Sequence, residues 1–163
     1  NCSSYSQSEV ITWIKELNPD ILLCHTGEWV SKKVRTIKGV KYVIGGHAGI
    51  TQKYRGVHSP FWAIYNKDIS SIGWTTFFID SEVDAGEIID QGYIKTKSGN
   101  SFFSLSWICM NEIAHSHVNT INSLSEFNKL LSFKNNFLSE KTLYDLPGIF
   151  ELIRYWLIQK EFR

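Results

Sequence analysis

Val40-Lys41-Tyr42-Val43-Ile44-Gly45-Gly46-His47-Ala48-Gly49 continues as Ile50-Thr51-Gln52-Lys53-Tyr54-Arg55-Gly56. The apolar run over 40–44 reads as a strand. Ser59-Pro60-Phe61-Trp62-Ala63-Ile64-Tyr65 reads as a helix, with proline at its first position. Between them lie glycines and one histidine. A strand that stops in a glycine-rich loop before a helix is a common place for a site. The backbone is open at the strand's end, and glycine lets a ligand come close. The same pattern also describes an ordinary strand-to-helix connection with a surface histidine.

Upstream, Ser6-Gln7-Ser8-Glu9 has the form of a capping box. Val10, Ile11, Ile14 and Leu17 follow at helical spacing, and Pro19 ends that helix. Asp20-Ile21-Leu22-Leu23-Cys24-His25 is a short apolar run, as expected of a parallel strand buried on both faces. Thr26-Gly27-Glu28 closes it. The basic segment 31–38 predicts a helical turn or two, and Gly39 stops it. The order helix, strand, short helix, strand argues for α/β with a parallel sheet.

Downstream, the helix from Ser59-Pro60 runs to about residues 66–68. Residues 72–79 are rich in β-branched and aromatic side chains and predict a strand. Asp80-Ser81-Glu82-Val83-Asp84-Ala85-Gly86 is an acidic turn. Residues 87–96 predict a second strand antiparallel to the first. Over 101–124 the apolar set Leu105, Ile108, Cys109, Ile113, Val118, Ile121 and Leu124 suits one long amphipathic helix. Residues 125–144 are polar and mixed. Asp145-Leu146-Pro147 opens a last helix carrying Ile149, Phe150, Ile153, Trp156 and Leu157.

The 163 residues fit one domain over 1–163 with a single core. Lysine and arginine number 17 against 16 acids, a formal net charge of +1, so nothing announces nucleic acid or an anionic membrane. No run is long enough to span a bilayer, and no signal peptide is evident. Cys2, Cys24 and Cys109 are scattered and odd in number, which fits neither a disulfide framework nor a zinc pattern. A reduced, cytoplasmic setting is expected. The first residue is Asn1 rather than Met, as expected of a fragment or processed product.

Few polar residues suit chemistry. Glu112 and His115 have the i, i+3 spacing of a carboxylate-bridged metal pair, and His117 is close by. The chain holds no second such pair, and histidines two apart point to different helix faces, so no metal is expected. Lys32, Lys33, Arg35 and Lys38 read as a solvated patch. There is no nucleophile elbow and no phosphate loop. His47 and Asp84 remain, each just after a predicted strand. If both turns open on one edge of the sheet, the two side chains meet. A carboxylate beside a histidine holds its tautomer, and such a pair suits acyl transfer.

Gly46-His47-Ala48-Gly49-Ile50, Tyr54-Arg55-Gly56, Trp62-Ala63-Ile64 and Asp84-Ala85-Gly86 together resemble the folate-dependent formyltransferase family. That family includes glycinamide ribonucleotide, methionyl-tRNA and sugar-amine formyltransferases. The match is collinear from about Asp20 to Gln91. The resemblance implies a Rossmann-like, mainly parallel sheet flanked by helices, in the formyltransferase fold and without its first strands. It implies 10-formyltetrahydrofolate as formyl donor and a small-molecule amine as acceptor. The wording nearest His47 is closer to the amino-sugar branch, while a tRNA acceptor stays open. His47 matches the family's catalytic histidine and Asp84 its aspartate. The folate is expected between Thr26, Gly27, Glu28, Trp29 and Val30 on one side and Ile79, Asp80, Val83 and Asp84 on the other.

Two positions depart from the family pattern. The family's catalytic asparagine is Gly45, which removes a side-chain donor to the oxyanion. Its usual proline is Gln52. Three readings follow: formyl transfer to a small amine, hydrolysis of the same donor by water, or a degenerate member that binds folate or a partner.

Overall fold

The fold comes from a computed structural model that describes residues 4–127, 129–138 and 140–161; Cys2 lies outside them. In chain order the elements are α1 (Ser8–Leu17), β1 (Ile21–Cys24), α2 (Lys32–Arg35), β2 (Tyr42–His47) and β3 (Arg55–Gly56). Then come α3 (Ser59–Tyr65), a 3-10 turn (Ile69–Ser71), β4 (Gly73–Phe78) and β5 (Ile88–Tyr93). The chain closes with α4 (Phe102–Phe127), β6 (Leu143–Tyr144) and α5 (Ile149–Glu161).

β2 does not stop at its glycines. Gly45 pairs with Phe77, Gly46 with Thr76 and His47 with Thr75, so the expected loop residues 45–47 are strand. Glycine reads as a breaker in isolation, but the partner strand β4 holds these residues extended. Gly46 has a packing reason: a Cβ there would overlap Ile113 Cγ2 of α4, so glycine lets the helix lie close on the sheet.

The sheet has the order β1-β2-β4-β5. The β1–β2 pair is parallel, from Ile21 with Tyr42 to Cys24 with Gly45. β4 runs antiparallel to β2, and β5 antiparallel to β4. The α/β class and the flanking helices stand as expected, but the sheet is mixed rather than mainly parallel. The reason lies in the connections. Only β1 to β2 crosses through a helix laid on the sheet. α3, between β2 and β4, packs on α4 and α5 instead, and the chain returns alongside β2 in the opposite sense.

Two layers cover the sheet. On one face α4 is tied to β4 by Thr76 Oγ1 with Ser116 Oγ at 2.9 Å and by Cys109 Sγ donating to the Gly73 carbonyl at 3.1 Å. On the other, Ile14, Val30, Val34 and Ile37 form a cluster over Leu22, Cys24 and Ile79. Gly45 and His47, two apart on β2, share this second face. A separate core joins α3, α4 and α5 through Phe61, Trp62, Phe102, Leu105, Tyr155 and Ile158.

Two boundaries differ from expectation. α1 begins at Ser8 with Gln7 at the N-cap and no side-chain cap, so the Ser6 capping box is not used. Asn18, left-handed at φ 44°, ends it by donating to the Ile14 and Lys15 carbonyls, one residue before Pro19. The mixed segment after α4 is a strap rather than an element. Phe133 pairs with Ile88, Leu138 N–H donates to the Gln52 carbonyl, and β6 pairs in parallel with β3. Among the described residues no helix is long and apolar enough to cross a membrane.

Candidate active site

A cleft of about 650 Å³ opens where β1, β2 and β4 end. Gly45 and His47 line it from β2. Thr26, Gly27, Glu28, Trp29 and Val30 line it from the loop after β1, and Ile79, Val83 and Asp84 from the turn after β4. Apolar walls with a few convergent polar groups are the usual make-up of a small-molecule site.

His47 is 9 % exposed, and both its ring nitrogens are engaged. Nδ1 lies 3.2 Å from Asp84 Oδ2. Nε2 lies 2.9 Å from the Tyr54 carbonyl and 2.7 Å from Ser59 Oγ. The Ser59 hydroxyl also reaches the Tyr54 carbonyl, at 3.1 Å. The ring is therefore held on both sides, with Asp84 at Nδ1 and the Tyr54 carbonyl and Ser59 hydroxyl at Nε2.

Asp84 sits at φ 49°, a left-handed conformation that aspartate tolerates better than most residues. Its Oδ2 also accepts the Gly56 N–H at 2.9 Å. Among the described residues no hydrogen bond falls on Oδ1. One carboxylate oxygen thus anchors the histidine, and the other is left for an incoming group.

Each residue of Tyr54-Arg55-Gly56 serves this pair. Tyr54 gives the carbonyl under His47. Arg55 donates from Nη1 to the Val83 carbonyl at 3.2 Å and stands 3.6 Å from Glu82, which steadies the acidic turn. Gly56 gives the N–H to Asp84 at φ 87°, and a Cβ there would overlap the Tyr144 carbonyl. The strap adds Asn135, whose Nδ2 donates to Thr51 Oγ1 at 3.1 Å and to the Asp84 carbonyl at 3.3 Å.

Gly45 faces the cleft without a donor. A Cβ there would stand 2.9 Å from Ile79 Cγ1 and 3.3 Å from Phe77 Cζ, so those two side chains have closed over the space. Behind Gly45, His117 of α4 is 2 % exposed. Its Nε2 approaches the Gly45 carbonyl at 3.4 Å, and its Nδ1 lies 2.7 Å from Nε2 of His25 in the cleft. Burial first, and then the neighbouring His25, lower the His117 pKa; the Gly45 carbonyl opposes this.

Of the residues the sequence points to for folate, Asp80 does not line the cleft. Its Oδ1 accepts the Glu82 N–H at 2.9 Å and closes the acidic turn. Sequence reasoning missed Ser59, Asn135, His25, His117 and Met110. His117 drew notice only as a metal partner of His115; the helix turns His115 outward and His117 into the core. Among the described residues no three His, Cys, Asp or Glu side chains are grouped to hold a metal ion.

No family model matches the chain. A methionyl-tRNA formyltransferase of Clostridium tetani (strain Massachusetts / E88) is 34 % identical over 120 residues, 72 % of this chain and 38 % of that protein. The chain belongs to the folate-dependent formyltransferase family. It spans about two fifths of the length of this relative. Solved structures of family members share the fold. A 4-N formyltransferase from Francisella tularensis has TM-score 0.66 and 21 % identity, over 89 % of this chain and 64 % of that one. A formyltransferase from Anoxybacillus kamchatkensis, solved with UDP-4,6-dideoxy-4-formamido-L-AltNAc and tetrahydrofolate, has TM-score 0.65 and 15 % identity. That match covers 90 % of this chain and 71 % of the other.

Proposed function

We propose that the cleft transfers a formyl group from 10-formyltetrahydrofolate to the amine of a small acceptor, an amino sugar or nucleotide-linked amino sugar. The observation that carries this reading is the His47–Asp84 pair on the cleft wall, with Asp84 Oδ1 unclaimed. The site has two jobs. His47, with its two ring nitrogens committed to Asp84, Tyr54 and Ser59, holds the Asp84 carboxylate in place beside the reacting carbon. Asp84 Oδ1 accepts the proton that the amine sheds after attack. The apolar walls at Trp29, Val30, Ile79 and Val83 suit the flat pterin of the donor and exclude water from the reacting atoms.

Two further facts bear on substrates. The Anoxybacillus protein is solved with a tetrahydrofolate and a sugar nucleotide, which supports that pair of substrate classes here. The cleft lining carries Glu28, Glu82 and Asp84, carboxylates that suit the acceptor's amine group. Gly45 favours a second reading: slow transfer, or loss of the formyl group to water, because one oxyanion donor is absent.

The test is single-turnover conversion of 13C-formyl donor, followed by NMR, with amino sugars, nucleotide-linked amino sugars, methionyl-tRNA and water alone. Formamide carbon on a sugar supports transfer to a small amine. Free formate alone assigns the hydrolase. Formyl-methionyl-tRNA moves the acceptor class to tRNA, and no loss of donor at saturating protein removes the enzyme readings.

A further inference from the structure

His25 and His117 form a hydrogen-bonded pair across 92 residues of sequence, and the mechanism above leaves it without a role. The rings meet edge to face, 4.6 Å between centroids and 83° between planes. Only one proton fits between two nitrogens 2.7 Å apart. The Gly45 carbonyl settles which ring owns it. A carbonyl only accepts, so His117 carries its proton on Nε2 and turns a bare Nδ1 toward His25. His25 must then be protonated on Nε2, leaving Nδ1 as its exchangeable position. Among the described residues no hydrogen bond falls on that Nδ1, and His25 is exposed in the cleft wall.

We propose that His25 is a second acid–base group of this site, and that His117 is the positioning residue that fixes its tautomer. The inference rests on the formyl-transfer reading. His25 stands at the end of β1, on the far side of Gly45 from Asp84, where the loop 26–30 that would hold the folate begins. The two groups therefore divide the proton work. Attack forms the new C–N bond, and Asp84 Oδ1 takes the amine's proton. As the carbon–N10 bond breaks, its electron pair stays on N10, and His25, entering the step as imidazolium with protons on both Nε2 and Nδ1, delivers the Nδ1 proton to N10 and returns to its Nε2–H form. The reaction balances: one proton leaves the acceptor nitrogen, one reaches the donor nitrogen, and water restores both side chains.

Other groups in the cleft also titrate or carry charge. They are Cys24 and Glu28 beside His25, Glu82 and Asp84 on the acidic turn, and His47 and His58. Glu112 and His115 lie on the same stretch of α4 as His117. Burial pushes the Cys24 thiol up to about 11, so it stays neutral. A rate profile alone therefore does not name His25, and a residue-resolved readout is needed.

The experiment has two arms. In the first, 15N-detected NMR of the imidazoles follows the protein without substrate from about pH 5 to 8. The expected result is His25 held as its Nε2–H tautomer, with the titrating signal on Nδ1; in His117→Phe that tautomer preference is lost. A His25 ring in the Nδ1–H tautomer overturns the proposal. In the second arm, single-turnover rates are compared for wild type, His25→Gln and His117→Asn. His25→Gln is expected to lose about a hundredfold in rate, with the fall of rate toward high pH abolished and donor affinity kept. His117→Asn moves that limb without removing it. If wild type turns over and His25→Gln keeps both its rate and its limb, this inference fails alone. If wild type consumes no donor while the NMR tautomer is as expected, the formyl-transfer reading fails, and the acid–base role falls with it.

Discussion

Gly45→Asn in an Ile79→Ala background is expected to raise the single-turnover rate of formyl transfer. The structure sets the terms. Asparagine alone would place its Cβ 2.9 and 3.1 Å from Ile79 Cγ1 and Cδ1 and 3.3 Å from Phe77 Cζ. The first two contacts are too tight, and overpacking of this kind costs about 1–3 kcal/mol. Truncating Ile79 removes both atoms and leaves only the ring edge of Phe77 to give way. Ile79 is partly exposed, so its loss costs roughly 2 kcal/mol of stability, near the low end for Ile→Ala. Because Gly45 shares the face of His47, an amide at 45 would enter the cleft beside the imidazole. One oxyanion donor supplies about 2.7–4 kcal/mol at the transition state, or roughly a hundred- to a thousandfold in turnover. The gain belongs in turnover rather than donor affinity, since the charge exists only at the transition state. The assay is 13C NMR under single-turnover conditions, with Ile79→Ala as reference. A double variant that is folded, binds folate and turns over no faster would show that the lost asparagine does not limit this chain.

Three other outcomes are expected. Gly46→Ala forces α4 off the sheet at Ile113 and should lower stability by about 1–3 kcal/mol in urea denaturation; an unchanged midpoint would mean that α4 does not lie this close. His117 binds its proton less readily folded than unfolded, where its value is 6.5. Below that pH the unfolded chain holds more protons, so the melting temperature should fall as pH drops, and His117→Phe should flatten the slope; a steeper slope contradicts this. Cys24, with its thiol pushed up to about 11, should alkylate more slowly at pH 7.5 than a free thiol, despite lining the cleft.

The sequence showed some of this well and some not at all. Apolar runs and β-branched composition placed β1, β4, β5 and α4 to within a few residues, because local pattern carries that information. The parallel β1–β2 pair and the antiparallel β4–β5 pair stand as expected, but the direction of β4 against β2 did not follow from pattern, since alternation is the same in parallel and antiparallel ladders. β2 was cut short for a related reason: Gly45 and Gly46 look like a break until β4 is seen pairing with them. His47 and Asp84 were singled out by their place after predicted strands and then matched through collinear motifs; the structure brings the two side chains together. Their supports were invisible because they come from afar. Asn135 reaches Asp84 from 51 residues away, out of a segment with no pattern of its own, and His117 reaches His25 across 92. Asp80 was misplaced because an acidic turn offers several carboxylates, and only the backbone reveals which one closes the turn.

The central claim is that Asp84 manages the proton of an acceptor amine in formyl transfer, and Asp84→Asn tests it most directly. Asparagine tolerates the left-handed φ of 49°, keeps the shape of the side chain, and still accepts the Gly56 N–H. It removes the charge and the proton-accepting oxygen. The measurement is the single-turnover rate on an amino-sugar acceptor, with donor affinity taken by calorimetry on the same samples. The account predicts intact donor binding and a rate lower by about a hundred- to ten-thousandfold. A well-folded Asp84→Asn protein that binds donor and transfers formyl at the wild-type rate would contradict it.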